Sequence, residues 1–254
     1  MIAPPTLRQW LAAEPFALAM SSGFFSFFAH CGVLTVLEDE GLLPVRVAGS
    51  SAGGLVAGAW AAGADAAILQ RALLGLRRQD FWDPAPGPGL LRGALFRRRL
   101  EALLPARSFA DCRVPAAVSA FDLLNRRTRV LERGALAPAI CASCAVPLMF
   151  RPVWIGGRPL WDGGVADRPG LAGMPMEQRV FYHHIASRSP WRSRRGAAMQ
   201  IPARPRMTTL SIQGLPRVNP FALSRGALAF ARARCAMQRA LDAPLRGAVL
   251  SVEA

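Results

Sequence analysis

The feature that most constrains this chain is a tight turn between an apolar segment and a run of small residues. Residues 45–48 have the composition of a buried strand, residues 52–62 that of a small-residue helix, and the turn is Gly49-Ser50-Ser51-Ala52-Gly53. Gly49 and Gly53 remove side chains that would collide with the neighbouring strand or helix. This Gly-x-Ser-x-Gly pattern, in a strand-turn-helix context, is typical of a nucleophile elbow that presents a reactive serine. The alternative is a glycine-rich turn in which Ser50 or Ser51 only caps the helix.

Strands and helices alternate around this turn. A strand is expected over residues 16–20, a helix over 28–40, and another helix after Asp65, a residue type that often caps helices. This order predicts an α/β fold with a mostly parallel central sheet flanked by helices, and functional loops at the carboxyl ends of the strands. Later strands are expected at 116–121, 128–131, 153–155, 158–161, 180–185 and 208–212, with a basic helix at 95–104 and a closing helix at 223–241. One domain over residues 1–254 can hold all of these elements.

The N-terminal part contains an uncharged stretch, residues 15–37, that is long enough to cross a bilayer as a helix. Polar and small residues interrupt it near its centre, and His30 would lie in hydrocarbon, so strand, loop and buried helix are preferred over a membrane span. Residues 1–14 lack the apolar core and cleavage site of a signal peptide. We therefore expect a cytoplasmic protein or one located peripherally at a membrane surface.

The net charge is +15, and every basic residue is arginine. A basic surface attracts anionic lipid and nucleic acid alike, so charge alone does not choose a partner, and a solvated arginine-rich surface is the simplest interpretation. No helix-turn-helix, zinc finger or RNP motif is found, and no nucleic acid is expected as a partner. The five cysteines form no matched pairs, so neither a zinc site nor a disulfide framework follows, and no cofactor or metal is expected.

A serine nucleophile needs a base, and the usual one is a histidine oriented by a carboxylate. His183 and His184 follow Asp162 in the chain, which permits a Ser-Asp-His order. Adjacent residues of a strand point to opposite faces, so only one of the two could serve. His30 lies inside the first long helix, where a structural role is the more frequent one.

Several blocks of sequence together resemble the patatin-like phospholipase family. They are the segment from Phe24 to Leu34, the Gly49–Gly54 turn, the segment Ala142-Ser143-Cys144-Ala145-Val146-Pro147 and the triplet Asp162-Gly163-Gly164, in this order. The resemblance implies a three-layer patatin-like domain and a Ser-Asp dyad, in which Ser51 attacks an acyl ester and Asp162 takes its proton without a histidine. Gly163 and Gly164 then allow the backbone to turn closely beside Ser51. Taken alone, Asp162-Gly163-Gly164 would be a plain turn.

The resemblance also implies an oxyanion loop near residue 23, where the family usually has consecutive glycines, a basic residue and another glycine. This sequence has Ser22-Gly23-Phe24-Phe25-Ser26-Phe27, with one glycine and with Ser26 in place of the basic residue. The backbone N–H groups of Gly23 and Phe24 are the expected donors, because donation depends on backbone geometry. Losing one donor costs about 10²- to 10³-fold in rate, so the change is expected to give a slow enzyme rather than an inactive one.

The predicted function is that of a serine lipid acyl hydrolase acting through an acyl-enzyme. Two features fit a lipid substrate: Phe24, Phe25, Phe27 and Phe28 could line an acyl pocket, and Trp191 with Arg188, Arg192, Arg194 and Arg195 forms a basic aromatic loop suited to an anionic membrane. The alternative interpretation of these two features is that the phenylalanines belong to the core and that the loop is a solvated surface loop. Two alternative functions also stay open: a weak or inactive patatin-fold lipid-binding protein, and a general carboxylesterase with a Ser-Asp-His triad.

Overall fold

The computed structural model describes residues 3–186 and 200–254. The helices are α1 Leu7–Ala13, α2 Phe27–Asp39, α3 Ala52–Ala61, α4 Ala66–Leu74, α5 Ala94–Leu103, α6 Leu136–Ser143 and α7 Arg225–Leu241. The strands are β1 Ala17–Met20, β2 Arg46–Ser50, β3 Ala116–Asp122, β4 Arg127–Leu131, β5 Val153–Ile155, β6 Arg158–Asp162, β7 Val180–Ile185, β8 Met207–Gln213 and β9 Val249–Glu253. Short 3-10 turns lie at Arg78–Asp80, Phe109–Asp111 and Gly163–Val165.

The strands form one sheet in which β1 is central. The order β3, β2, β1, β7, β8, β9 is parallel throughout, while β4 and β6 pair antiparallel with β3, and β5 pairs antiparallel with β6. The mostly parallel sheet expected from the alternating segments is confirmed. Parallel order brings the carboxyl ends of β1 and β2 to the same edge, where Met20 pairs with Gly49.

Side chains on β1 alternate between the two faces of the sheet. Leu18 and Met20 belong to the larger core cluster, which also contains the buried faces of α2, α3 and α7. Ala17 and Ala19 belong to a smaller cluster on the other face, together with Tyr182. This alternation is the period of two that a pleated strand imposes.

Local signals explain where several elements begin and turn. Asp65 caps α4 by accepting a hydrogen bond from the N–H of Ile68 at 2.7 Å, as its sequence position predicts. Gly156 and Gly157 both have positive φ, the geometry of a two-residue hairpin, and they join β5 to β6. The uncharged stretch at 15–37 is divided between β1 and α2. Within the described part of the chain, none of the helices is long and apolar enough to cross a membrane.

Candidate active site

Ser51 occupies a strained turn between β2 and α3. Its backbone lies at φ 53° and ψ −121°, a region that residues with a side chain rarely adopt. Such strain persists only where the surrounding structure enforces it, and it is found preferentially at functional sites. The turn directs Ser51 to the end of the sheet while α3 begins at the next residue.

Close approach of backbones explains the glycines around Ser51. A Cβ atom at Gly49 would lie 2.5 Å from the carbonyl carbon of Gly53, and one at Gly53 would lie 2.5 Å from the carbonyl carbon of Met20. Both distances are well inside normal van der Waals contact. Strand β1, the turn and the start of α3 are therefore packed at the level of their main chains.

Asp162 ends β6, and hydrogen bonds of its backbone and of its carboxylate help to position it. Its backbone N–H donates to the carbonyl oxygen of Ala145 at 2.9 Å, and its Oδ1 accepts from the N–H of Gly164 at 2.7 Å. Its Oδ2 accepts a hydrogen bond from Ser51 Oγ at 2.6 Å, and the residue is only 5% exposed. The hydroxyl and the carboxylate are thus in direct contact, with no residue between them.

The two glycines after Asp162 also have close neighbours. A Cβ at Gly163 would lie 2.6 Å from the carbonyl carbon of Ser119, and one at Gly164 would lie 2.8 Å from the Cβ of Ser22. The Asp-Gly-Gly triplet is therefore packed between β3 and the loop after β1, and it is more than a plain surface turn.

Two residues at the end of α6 contact the Gly49–Gly53 turn. Ser143 Oγ accepts the backbone N–H of Ser51 at 2.9 Å, and the Cys144 thiol donates to the Ser51 carbonyl oxygen at 3.2 Å. Burial raises the pKa of the Cys144 thiol well above its usual range, so the thiol stays neutral. Sequence reasoning gave these two residues no role in the site, although the segment 142–147 that contains them was already part of the family resemblance.

The loop after β1 has the expected donors and one strained residue. The Ser22 N–H donates to the carbonyl oxygen of Arg168 at 2.7 Å, whereas the N–H groups of Gly23 and Phe24 have no acceptor among the described residues. Phe25 adopts φ 54°, a left-handed conformation that glycine adopts without strain and a bulky residue does not. The backbone at this one position is of the kind that suits glycine, although the side chain is aromatic.

The three histidines form hydrogen bonds away from Ser51. His30 Nδ1 and His183 Nδ1 are 2.9 Å apart, His30 Nε2 is 2.9 Å from the Ser21 carbonyl oxygen, and His184 Nδ1 is 3.1 Å from the Tyr182 hydroxyl. Burial lowers the pKa of His30 and of His184 to about 4, and that of His183 also falls well below its ordinary value. The rings are therefore neutral structural groups, and the Ser-Asp-His alternative gains no support from their contacts.

Ser51 opens onto an apolar cavity of about 110 Å³, which we call the serine cavity. Its lining includes Gly23, Phe24, Phe25, Phe27, Ser51, Leu55, Leu73, Leu76, Phe81, Phe96, Arg99, Leu100, Leu103, Cys144, Met149 and Phe150. Three of the four phenylalanines expected in an acyl pocket are present. Including Phe28 was wrong, because this ring packs in the core against the α7 backbone at Gly226.

Two other expectations concern membranes and metals. The basic aromatic loop with Arg188, Trp191, Arg192, Arg194 and Arg195 lies outside the described residues. In residues 3–186 and 200–254, no group of three or more His, Cys, Asp or Glu side chains is arranged to hold a metal ion.

Comparison with known proteins assigns the family. The sequence model of the patatin-like phospholipases matches residues 18–173, a range that holds the serine turn, the Asp162 triplet and most of the serine cavity. The chain belongs to the patatin-like phospholipase family. The loop at residues 22–27, Ser-Gly-Phe-Phe-Ser-Phe, lies inside the matched range.

Curated relatives are longer than this patatin-like chain. An uncharacterized NTE family protein of Mycobacterium tuberculosis (strain ATCC 25618 / H37Rv) is 34% identical over 176 residues, which cover 66% of this chain and 48% of the relative. Another uncharacterized NTE family protein, from Mycobacterium tuberculosis (strain CDC 1551 / Oshkosh), is 28% identical over 173 residues, which cover 63% of this chain and 28% of the relative. The chain thus spans about half or less of the length of these relatives.

Solved structures share the fold. VipD from Legionella pneumophila superposes with a TM-score of 0.57 at 16% identity, covering 68% of this chain and 50% of VipD. The type III effector protein ExoU superposes with a TM-score of 0.50 at 15% identity, covering 94% of this chain and 53% of ExoU. The predicted three-layer α/β fold, with a mostly parallel central sheet flanked by helices, is confirmed at this level.

Proposed function

We propose that this patatin-like protein hydrolyses acyl esters of lipids through a Ser51–Asp162 dyad and an acyl-enzyme. The observation that carries the proposal is the 2.6 Å hydrogen bond from Ser51 Oγ to Asp162 Oδ2 at the edge of an apolar cavity. Membership of a phospholipase family supports lipid hydrolysis as the general class of reaction.

In the first half-reaction, Ser51 Oγ attacks the ester carbonyl carbon and its proton passes to Asp162 Oδ2. The tetrahedral intermediate then expels the alcohol, whose oxygen takes the proton from Asp162, and the acyl group stays on Ser51. In the second half-reaction, water attacks the acyl-enzyme, Asp162 accepts the proton of that water, and Ser51 leaves the carbonyl carbon and recovers its proton. Direct contact between hydroxyl and carboxylate makes an intermediary histidine unnecessary.

The oxyanion of the tetrahedral intermediate is assigned to the N–H groups of Gly23 and Phe24. Both residues line the serine cavity, and both N–H groups are without an acceptor among the described residues. Donors arranged in advance around a developing negative charge stabilise it strongly, and losing one costs about 10²- to 10³-fold in rate.

The serine cavity suits the acyl chain, because Arg99 is the only charged residue among the described residues that line it. The Arg99 guanidinium forms an ion pair with Asp80, whose Oδ2 lies 3.5 Å from Arg99 Nη1. Exposed apolar residues stand near the cavity: Phe24 is 51% exposed, and Leu148, between the lining residues Val146 and Met149, is 81% exposed. We assign these two side chains to peripheral contact with a membrane surface, through which a lipid would enter.

The experiment compares hydrolysis of a nitrophenyl acyl ester and of a phospholipid by wild type, Ser51→Ala, Asp162→Asn and Ser50→Ala. Ser50 is the matched control, since it is adjacent and buried and its Oγ has no hydrogen-bond partner among the described residues. We expect a loss of at least about 10³-fold for the first two variants and near-wild-type turnover for the third. Turnover that survives Ser51→Ala would exclude the dyad, and an equal loss in His183→Ala or His184→Ala would favour the triad.

One observation favours a second candidate function, a patatin-fold lipid-binding protein with weak or no catalysis. Phe24 and Phe25 occupy the loop that stabilises the oxyanion, and Phe25 holds a conformation that costs about 1–2 kcal/mol for a bulky residue. Lipid binding by wild type without Ser51-dependent turnover would establish this alternative.

The domain organisation is also a proposal. The same sheet joins strands from residue 17 to residue 253, which supports the proposal that residues 1–254 form one domain.

A further inference from the structure

A second cavity, of about 650 Å³, lies beside the serine cavity. It is bordered by the start of α5, the turn before α6 and strand β5, and it is open to solvent. We call it the arginine cavity, and its lining includes Arg92, Gly93, Phe96, Arg97, Leu131, Arg133, Ala135, Pro138, Ala139, Phe150, Arg151, Val153, Trp154 and Ile155. Phe96 and Phe150 line both cavities, with ring centroids 6.1 Å apart, and they form the wall between them.

Positive charge dominates this cavity. Four arginines line it, and none of its described lining residues is acidic. Arg97 pairs with Glu101 at 2.8 Å, whereas Arg92, Arg133 and Arg151 have no carboxylate partner among the described residues. The guanidinium of Arg151 is fixed in place by a hydrogen bond to the Pro86 carbonyl oxygen.

Two other acidic residues, Asp83 and Glu132, form no ion pair with these arginines among the described residues. Asp83 is the carboxylate at the start of α5, where it accepts the N–H groups of Gly93, Ala94 and Leu95 at 2.7–3.1 Å. Glu132 precedes Arg133 but is exposed and does not line the cavity. Arginines without carboxylates, grouped around one concave surface, form a site for an anion.

The remaining lining is apolar and too extensive for a bare anion. Phe96, Leu131, Phe150 and Val153 form its inner surface, and Trp154 at the rim is 68% exposed. The volume lies within the range of small-molecule sites, and the open side leaves room for part of a ligand to remain in solvent. Arginines and apolar walls in one cavity match a ligand that carries both an anionic group and a hydrocarbon part.

We propose that the arginine cavity binds an anionic amphiphile, a molecule with a phosphate or carboxylate next to an apolar chain, at a site separate from Ser51. Arg92 and Arg133 bind the anionic group, and the chain lies against Trp154 and the Phe96–Phe150 wall. The site goes beyond the proposed hydrolysis, because it takes a ligand without reacting with it.

Binding of dodecyl phosphate, below its micellar concentration, to the full-length Ser51→Ala protein tests the site by calorimetry. Arg92→Gln/Arg133→Gln is compared with the matched control Arg98→Gln/Arg232→Gln, which removes the same two charges from exposed positions outside both cavities. We expect about tenfold weaker binding for the first double variant and less than twofold change for the control. Equal weakening of binding in both double variants would indicate a general effect of charge and would overturn the proposal that the arginine cavity is the binding site.

Two further measurements locate the ligand and define its chemistry. Dodecyl phosphate should change the fluorescence of the Ser51→Ala protein, and Trp154→Phe should remove most of that change. Inorganic phosphate and dodecyl maltoside should each bind at least tenfold more weakly than dodecyl phosphate, and equal binding of either would overturn an amphiphile site. Dodecanoate distinguishes the head groups: arginine-dependent binding tighter than that of dodecyl phosphate assigns a carboxylate, and weaker binding assigns a phosphate. Since Ser51→Ala needs no turnover, a failure here is distinct from a failure of the proposed hydrolysis.

Discussion

Gly53→Ala is the substitution that most directly tests the packing of the Gly49–Gly53 turn. The added Cβ would lie 2.5 Å from the carbonyl carbon and 2.7 Å from the Cβ of Met20. Normal carbon contacts are about 3.5 Å, so β1 and α3 would have to separate by about 1 Å. Met20 is held on both sides, by pairing with Gly49 of β2 and His183 of β7, and it cannot move alone.

The expected change in the free energy of unfolding of Gly53→Ala follows from two opposed effects. Overpacking of this kind costs about 3 kcal/mol, and replacing glycine by alanine inside a helix returns about 1 kcal/mol. We therefore expect a net loss of about 2 kcal/mol in the free energy of unfolding. Since Ser51 is two residues away, a shift approaching 1 Å should also lower kcat by about 10²-fold.

The matched control is Gly58→Ala on the same helix. Its Cβ would meet Ile140 Cδ1 at 2.8 Å, and its three nearest neighbours are all side-chain atoms, whereas the nearest neighbours at Gly53 include backbone atoms. Urea unfolding and nitrophenyl ester hydrolysis of both variants are the assays, and Gly58→Ala should stay within about 1 kcal/mol of wild type with normal kcat. The reasoning is refuted if Gly53→Ala is no less stable than Gly58→Ala and keeps full turnover.

Three further predictions concern other parts of the site. Ser143→Ala removes the acceptor of the Ser51 N–H and should cost about 1–3 kcal/mol in urea unfolding and at least about tenfold in kcat; an unchanged kcat would remove Ser143 from the site. Leu103→Trp narrows the serine cavity and should lower kcat/KM for a nitrophenyl octanoate at least about tenfold more than for the acetate, whereas exposed Leu124→Trp should leave the ratio unchanged. His30 and His184, with their pKa values lowered from 6.5 to about 4, bind fewer protons folded than unfolded, so stability is fully present above pH 6.5 and falls toward pH 4 by up to about 1.4 kcal/mol per pH unit for each. Urea midpoints at pH 7.5, 6.5 and 5.5 measure this fall, and a constant midpoint would contradict the buried neutral state.

Three elements escaped the sequence-based predictions, for physical reasons that differ. Helix α1 begins with a capping box between Thr6 and Gln9, a local signal that could have located it. Helix α6 contains Pro138 and is buried along most of its length, so it shows little helical periodicity. Strand β9 is short, lies at the sheet edge and is mostly exposed, and its pairing with β8 decides its conformation.

Side-chain periodicity and glycines at fixed local spacing were enough to predict most of the strands and helices, the Gly49–Gly53 turn and the Asp162-Gly163-Gly164 triplet. The tertiary structure determines which distant residues contact Ser51. Register between β3 and β6 brings Asp162 to Ser51 across 111 residues, and α6 supplies Ser143 across 92. The same packing pairs His30 with His183 and leaves two cavities on either side of Phe96 and Phe150. Contacts between residues so distant in the chain follow from how the sheet and helices assemble, and no local pattern records them.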